Sequence, residues 1–232
     1  MGAALLYPAA TERLVPYTTA GAFAPVGLVL HVQAGDGSPY SWFANPANAA
    51  CSHWWVSKSG VVEQYLDARA KSWAQAAGNG TYHSVETEGQ PAEPLTPEQV
   101  AALADLYRWG HATFGWPLEL AEQPGQPGFG WHGMGGVAWG NHPGCPGELR
   151  KAQRPAILAA AGQEDTVDID PPILVQSDDA SDGRRFVYTA RQGLRHIASP
   201  AEEFVITSQG RVQNPTKPEV WSAADITGML EG

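Results

Sequence analysis

The segment from Gly27 to Val32 reads GLVLHV, an apolar run that is interrupted only by His31. A short run of this kind, without polar alternation, is typical of a β-strand buried on both faces. Such a strand needs other layers on both sides of its sheet, and a chain of 232 residues with 43% hydrophobic residues is large enough to build them. The run therefore predicts a layered fold around an interior strand.

Other strands are predicted downstream of this run. Trp54–Val56 and Val61–Leu66 flank the sequence SKSG, whose glycine can adopt the left-handed conformation of a turn, so the two segments predict a hairpin. Ser84–Glu88 predicts another short strand.

Two helices are predicted between and after these strands. Thr96 is a suitable N-cap, Pro97 suits the first helical position, and Gln99 completes a capping box. A glycine- and tryptophan-rich loop, residues 126–147, leads to a second helix that starts near Arg154, because Pro155 cannot lie deep inside a helix. Strands and helices interspersed in this way predict an α/β fold with a mixed central β-sheet flanked by helices.

The composition excludes several classes of protein. The net charge is −10, so the chain as a whole repels a phosphate backbone and we expect no nucleic-acid partner. No window approaches the roughly 18 consecutive apolar residues of a membrane-spanning helix. The start of the chain lacks the basic region of a signal peptide.

The composition changes near residue 163. Residues 164–172 form an acidic, proline-containing run with little apolar surface, which predicts a linker between a first domain, 1–163, and a small β-rich C-terminal module, 173–232. Within that module, Arg185–Thr189 and Phe204–Thr207 have the composition of strands.

Two histidines and a cysteine suggest a metal site. His31 lies inside the apolar strand, where a satisfied core histidine is the simpler interpretation. Cys145 lies in the glycine-rich loop with two histidines, His132 and His142, either of which could be the second nitrogen ligand. We expect the adjacent helix N-terminus to lower the pKa of Cys145 and so favour a thiolate ligand. Three protein ligands with a fourth position left open is the pattern of catalytic zinc. A disulfide with Cys51 is the competing interpretation.

Five sequence motifs, in order, carry a family resemblance. They are LVLHV around His31, SHWWVSKSGVVEQYL at 52–66, SVETEG at 84–89, the helix start TPEQ, and WH followed by HPGCPG. Together they resemble the zinc N-acetylmuramoyl-L-alanine amidases, a superfamily that includes the peptidoglycan recognition proteins and many phage endolysins. The resemblance covers roughly residues 25–162 and implies that fold.

The resemblance also implies roles for single residues. His31, His132 and Cys145 match the zinc ligands of the family. Glu86 matches the glutamate that assists the attacking water, and we favour it over Glu88, which lies two residues further along the same predicted strand.

The sequence departs from the family pattern at three points, one of which is a longer loop between His132 and Cys145 than in many relatives. Trp73–Ala76 reads WAQA where many members have a histidine after the tryptophan. Pro143 stands where some members have a lysine that stabilises the oxyanion, and His142 is then the candidate donor. His142 is also an alternative to His132 as ligand, although the family pattern favours His132.

The resemblance implies a function. It predicts an enzyme that uses Zn²⁺ to hydrolyse the amide between the lactyl group of N-acetylmuramic acid and L-alanine in peptidoglycan. We expect a monomeric endolysin that is made in the host cytoplasm and acts on the bacterial cell wall. A non-catalytic peptidoglycan-binding protein and a metal-free Cys-His hydrolase remain alternatives. Trp139 is a candidate platform for sugar stacking, and His83 is expected at the surface or on the face of a helix.

Overall fold

The computed structural model describes residues 3–16 and 23–163 and, in the rest of the chain, the backbone of four strands. The chain divides into two compact units, Met1–Gln163 and Glu164–Gly232. The first unit contains β1 (Thr11–Glu12), β2 (Gly27–Leu30), α1 (Tyr40–Phe43), β3 (Trp54–Val56), β4 (Val62–Gln64), β5 (His83–Thr87), α2 (Pro97–Phe114), β6 (Gly128–Trp131), α3 (Glu148–Ala152) and α4 (Arg154–Gly162). Three 3₁₀ segments, Pro46–Asn48, Ala76–Gly80 and His132–Trp139, lie between them.

The first unit is built on a six-stranded sheet with the order β1-β4-β3-β5-β2-β6. β3 and β4 pair antiparallel, as the predicted hairpin, and the other neighbouring strands pair parallel, so the sheet is mixed. β2 lies between β5 and β6, and all four of its residues are buried. The predicted fold class, a mixed α/β sheet with flanking helices, is confirmed.

Helix α2 begins where the sequence predicts, because a capping box is formed at its N-terminus. Thr96 Oγ1 accepts a hydrogen bond from the Gln99 N–H at 3.1 Å, and Gln99 Oε1 accepts one from the Thr96 N–H at 3.1 Å. The helix ends at Gly115, whose φ of 73° is the left-handed conformation that glycine adopts without steric cost.

Helices α2 and α4 cover one face of the sheet. Leu103 and Leu106 of α2 and Ile157 of α4 pack in one hydrophobic cluster with Leu28 and Leu30 of β2. All five side chains are fully buried, and the burial of each contributes roughly 1.5–3 kcal/mol to folding. These contacts hold β2 firmly in the middle of the sheet.

The opposite face of β2 is covered by two of the 3₁₀ segments instead of long helices. Val29 packs there with Tyr82 and Trp139. A Cβ added to Gly78 of one segment would lie 2.5 Å from the indole ring of Trp139 in the other, so the two segments are in close contact. Because side chains alternate along a strand, His31 points to the same face as Val29.

Strand β6 lies inside the stretch 126–147, and the prediction of an irregular loop there was wrong. Its sequence GFGW alternates glycine with aromatic residues, and glycine weakens the sequence signal for a strand. The pairing of β6 with β2 requires glycine, because a Cβ at Gly27 would lie 1.9 Å from the carbonyl oxygen of Gly128. This close approach brings the end of β6 beside the end of β2.

The second unit contains a four-stranded sheet with the order β10-β7-β8-β9. Its strands are β7 (Ile173–Ser177), β8 (Arg185–Thr189), β9 (Gly193–His196) and β10 (Glu219–Trp221). β8 has the bounds predicted for it, whereas the predicted strand 204–207 and the predicted linker 164–172 lie outside the described residues. Among the helices that the structure describes, none combines the length and apolar character needed to cross a membrane.

Candidate metal centre

The parallel pairing of β2 with β5 and β6 brings three side chains to one edge of the sheet. His31 follows the last residue of β2, Glu86 lies near the end of β5, and His132 follows the last residue of β6. The residues immediately before them are paired across the strands, because Leu30 lies opposite both Val85 and Trp131. The strand ends therefore place these three residues side by side.

Cys145 reaches the same point from the segment before α3. The backbone N–H of Val32 donates to Cys145 Sγ at 3.4 Å, and the N–H of Gly133 donates to the carbonyl oxygen of Cys145 at 2.9 Å. The rings of His31 and His132 have centroids 4.3 Å apart. One potential ligand atom from each of His31, His132 and Cys145 lies within 4.8 Å of the other two. The structure thus brings together the three residues that the sequence suggests as ligands.

Each of the two imidazoles is held by an acceptor outside the trio. His31 Nε2 lies 2.9 Å from Gln75 Oε1, and His132 Nε2 lies 2.9 Å from the carbonyl oxygen of Trp139. Burial lowers the pKa of His31 well below its usual value and that of His132 to about 4. Both rings are therefore neutral at pH 7, which is the form that binds a metal.

Glu86 is a buried carboxyl group beside the histidines. Its Oε1 lies 3.7 Å from His31 Nδ1, and its Oε2 is buried without a hydrogen-bond partner. Burial raises the pKa of Glu86 to about 8, against the opposing charge of Arg150. A buried carboxyl oxygen without a partner, next to a group of potential ligands, is a typical feature of a reactive site.

Glu88 has a structural role instead. It lies one residue beyond β5, and its two carboxylate oxygens accept hydrogen bonds from the backbone N–H groups of Gly37 at 2.7 Å and Lys58 at 2.6 Å. Both oxygens are thus used to hold two loops. Of the two glutamates considered from the sequence, the structure leaves Glu86 available for chemistry.

The expectation of a lowered pKa for Cys145 was wrong for the metal-free protein. Burial raises the pKa of this thiol to about 12, and the nearby charge of Glu86 adds to the effect. Helix α3 begins only at Glu148 and has five residues, so its N-terminus provides little compensation. A divalent cation at the sulfur would favour the thiolate instead. Neither cysteine forms a disulfide, which removes the competing interpretation that involved Cys51.

The potential ligands open onto a cavity of about 590 Å³. His142 is exposed and lines this cavity, and its ring centroid lies 4.7 Å from that of His132. Of the two histidines considered for the ligand position, His132 belongs to the close trio with Cys145. His142 lies at the cavity wall, outside this trio.

Two other sequence interpretations were wrong because both side chains are buried. Trp139 has only 3% of its surface exposed and packs in the cluster of Val29, so it offers no platform for a sugar. His83 is completely buried, and its ring contacts Trp54 and Trp116. Its Nε2 lies 2.7 Å from the carbonyl oxygen of Ala68, which satisfies one ring nitrogen inside the core.

Gln75 and Arg150 are polar residues of the site that the sequence interpretation missed. Arg150 is fully buried, and its Nη1 donates to Thr87 Oγ1 at 2.7 Å, which in turn donates to the carbonyl oxygen of His31 at 2.6 Å. Its Nη2 also donates to the carbonyl oxygen of Glu88 at 3.0 Å. Arg150 thus fastens α3 to the strand ends. An arginine in a short helix gives no sequence signal for burial, because most arginines are exposed.

The sequence profile of the N-acetylmuramoyl-L-alanine amidase family matches residues 22–148, which is more than half of the chain. The matched range includes the cavity residues that the sequence suggests for the site, which are His31, Glu86, His132, His142 and Cys145. A search of curated protein sequences finds no significant match.

Solved structures of similar fold have low sequence identity to this chain. The Staphylococcus aureus hydrolase AmiA in complex with its ligand is 18% identical, with 68% of this chain and 84% of that chain covered and a TM-score of 0.54. A mutant form of PlyL is 15% identical, with 67% and 99% covered and a TM-score of 0.52. At these identities the likeness shows the fold alone.

Proposed function

Because the chain belongs to the N-acetylmuramoyl-L-alanine amidase family, we propose that it is a zinc-dependent hydrolase of bacterial peptidoglycan. The bond that it cleaves is the amide between the lactyl group of N-acetylmuramic acid and L-alanine. One observation carries the proposal. His31, His132 and Cys145 converge within 4.8 Å at a cavity, beside a buried carboxyl group, Glu86, that has an unpartnered oxygen.

The donor set suits zinc. Two neutral imidazoles and one thiol are the nitrogen and sulfur donors that zinc prefers, and three protein ligands leave a position for water or substrate. His31, His132 and Cys145 would hold the ion. When bound in such a site, zinc supplies Lewis-acid activation of water and of the scissile carbonyl group.

Glu86 acts as the general base and then as the general acid. Its Oε2 has no hydrogen-bond partner, so this oxygen is the one that takes the proton of the attacking water. The same oxygen returns the proton to the leaving amine of L-alanine. Burial raises the pKa of Glu86 to about 8 in the metal-free protein, so this carboxyl group is able to hold a proton close to neutral pH.

His142 donates a hydrogen bond to the oxyanion that develops on the scissile carbonyl group. Its exposed position at the cavity wall and its distance of 4.7 Å from the ring of His132 support this role. A donor at that point stabilises charge in the transition state more than in the ground state.

The cellular role that we propose is that of a phage endolysin, a monomer that degrades the cell wall of its bacterial host. Residues 1–163 form the catalytic domain in this proposal, 164–172 the linker, and 173–232 a module that binds the wall. Removal of 164–232 is then expected to weaken sedimentation with purified walls. Unchanged sedimentation would remove the binding role from the module.

Zinc analysis and hydrolysis of purified walls together test the proposed function. We expect about one zinc ion per chain after purification, release of new amino groups from the walls, and loss of this release when a chelator removes the metal. Release that persists in chelator would support the metal-free Cys-His hydrolase. Zinc without any release would support the non-catalytic peptidoglycan-binding protein.

A further inference from the structure

A residue outside the proposed ligand set contacts one of the ligands of the metal centre. We infer that Gln75 is a positioning residue for this centre, whose side-chain oxygen holds the proton of His31 on Nε2 and thereby leaves Nδ1 as the metal-binding nitrogen. The inference rests on the proposed function. It assigns a role to a residue at the place where the sequence departs from the family pattern.

The orientation of the Gln75 amide is fixed by its neighbours. Its Nε2 lies 3.2 Å from the carbonyl oxygen of Tyr82 and 3.4 Å from that of Gly78. Carbonyl oxygens only accept hydrogen bonds, so the NH₂ group of Gln75 must face them. Its oxygen therefore faces His31, at 2.9 Å from Nε2.

This orientation determines the tautomer of His31. The Gln75 oxygen is an acceptor, so His31 Nε2 must carry the hydrogen that is donated to it. A neutral imidazole has one protonated nitrogen, and Nδ1 consequently keeps its lone pair. Nδ1 is also the nitrogen on the Glu86 side of the ring, 3.7 Å from that carboxylate, which lines the cavity.

The second ligand histidine is held in the same way. His132 Nε2 donates to the carbonyl oxygen of Trp139 at 2.9 Å, so its Nδ1 also keeps a lone pair. The two supports belong to one packed unit, since Gly78, an acceptor for Gln75, lies against the Trp139 indole. The same backbone arrangement therefore fixes the tautomer of both imidazole rings.

The chain segment that carries Gln75 is itself held in place. Asn79 Oδ1 accepts hydrogen bonds from the backbone N–H groups of Ala74 at 3.0 Å and Gln75 at 2.8 Å. Ala76 has a φ of 44°, in the left-handed region, where an alanine is strained. Gln75 is 1% exposed, so water does not replace its contact with His31.

Two near-isosteric substitutions isolate the contact with His31. Gln75→Met and Gln75→Glu both remove the NH₂ donor to Tyr82 and Gly78, but only Gln75→Glu keeps an acceptor oxygen for His31. Zinc affinity of the full chain, measured by competition with a chromogenic chelator, is expected to fall about 10–100-fold in Gln75→Met, the usual loss for an outer-shell partner. It is expected to stay close to the wild-type value in Gln75→Glu.

Gln64→Met is the matched control. Gln64 is also fully buried, and among the described residues its amide bonds to backbone groups of Tyr7, Leu5 and Leu66. We expect this variant to lose thermal stability and to keep its zinc affinity. Equal zinc affinity in wild type and Gln75→Met, or an equal loss in Gln75→Met and Gln64→Met, would overturn the inference.

A second measurement needs no metal and separates this inference from the proposed function. Nitrogen-15 NMR of the imidazole rings in the metal-free protein is expected to show His31 with its proton on Nε2. Gln75→Met is expected to lose that preference and Gln75→Glu to keep it. A proton on Nδ1 in the wild type would overturn the inference, whereas failure of the wild type to bind zinc would overturn the proposed function.

Discussion

The first unit contains two pairs of buried histidines whose rings lie at nearly the same distance from each other. The ring centroids of His31 and His132 are 4.3 Å apart, and those of His53 and His83 are 4.4 Å apart. In all four rings Nε2 lies next to an acceptor oxygen. Burial lowers the pKa of all four as well. By these measures, either pair could supply the first two ligands of a metal site.

The surroundings of the two pairs differ. His53 Nδ1 lies 3.1 Å from the backbone N–H of Ser84, which donates to it, and His83 is enclosed by the rings of Trp54, Phe114 and Trp116. The first pair instead has a thiol within reach and opens onto a cavity. Two adjacent buried histidines therefore do not make a metal site, which also needs a third donor and room for an exogenous ligand.

The largest effect is expected from Cys145→Ser, which removes the thiol that distinguishes the two pairs. A serine hydroxyl is a poor zinc ligand, so we expect no zinc in the purified variant and no detectable hydrolysis of walls. Elemental analysis and an assay of released amino groups measure the two effects.

Cys51→Ser is the matched control, because Cys51 is a buried thiol in a separate cluster with Trp55 and Tyr65. We expect this variant to keep zinc and activity. Full zinc content in Cys145→Ser would mean that the thiol is not what separates the two histidine pairs.

A loss of rate without a loss of metal is expected from Glu86→Gln. The amide keeps the shape of the side chain but cannot accept the proton, and general-base catalysis contributes roughly 10²–10⁴-fold to rate. We expect zinc content to be unchanged and the rate of amino-group release to fall within this range.

Glu88→Gln serves as the comparison for this variant. It weakens the contacts with Gly37 and Lys58 and is expected to reduce thermal stability more than rate. If Glu86→Gln hydrolysed walls at the wild-type rate, the general base would be another residue.

The smallest effect is expected at the second histidine pair and concerns stability alone. The pKa of His53 is lowered from 6.5 to about 4 by burial, so the unfolded chain binds a proton at this residue below about pH 6.5 and the folded chain does not. The contribution of neutral His53 to the free energy of unfolding is therefore fully present above pH 6.5 and is lost as the pH falls towards 4. The loss at pH 4 is roughly 3 kcal/mol.

Urea unfolding of the metal-free protein between pH 7.5 and pH 4.5 measures this loss. His53→Gln does not titrate, and its amide is able to donate to Ala70 and to accept from Ser84, as the histidine does. We expect a smaller decrease in unfolding free energy in this variant than in the wild type. The same decrease in both would show that other groups dominate the acid sensitivity.

The parts of the fold that depend on local signals could be predicted from the sequence. The cap at Thr96, the turn at Gly60 and the apolar run of β2 each act within a few residues, and each predicted element is present. β6 was missed because its role depends on the close contact of Gly27 with Gly128, which are distant in sequence. A contact between residues far apart in the chain leaves no periodic pattern in the sequence.

The same distinction holds for the site. His31, His132 and Cys145 could be chosen because their residue types and order resemble a known family. Gln75 and Arg150 could not, because their importance comes from burial, and a glutamine between alanines or an arginine in a short helix is usually exposed. His83 was misplaced for the same reason, since nothing near it in the sequence indicates the aromatic side chains that enclose it.

The contact between the Val32 N–H and the Cys145 sulfur joins residues that are 113 positions apart in the chain. A ribosome adds about 5–20 residues per second, so the thiol is made roughly 6–23 seconds after the strand that it must meet. In the proposed metal centre, Cys145 is therefore the last of the three ligands to be synthesised. A chain that ended before residue 145 would carry both imidazoles of the proposed centre and lack its thiol.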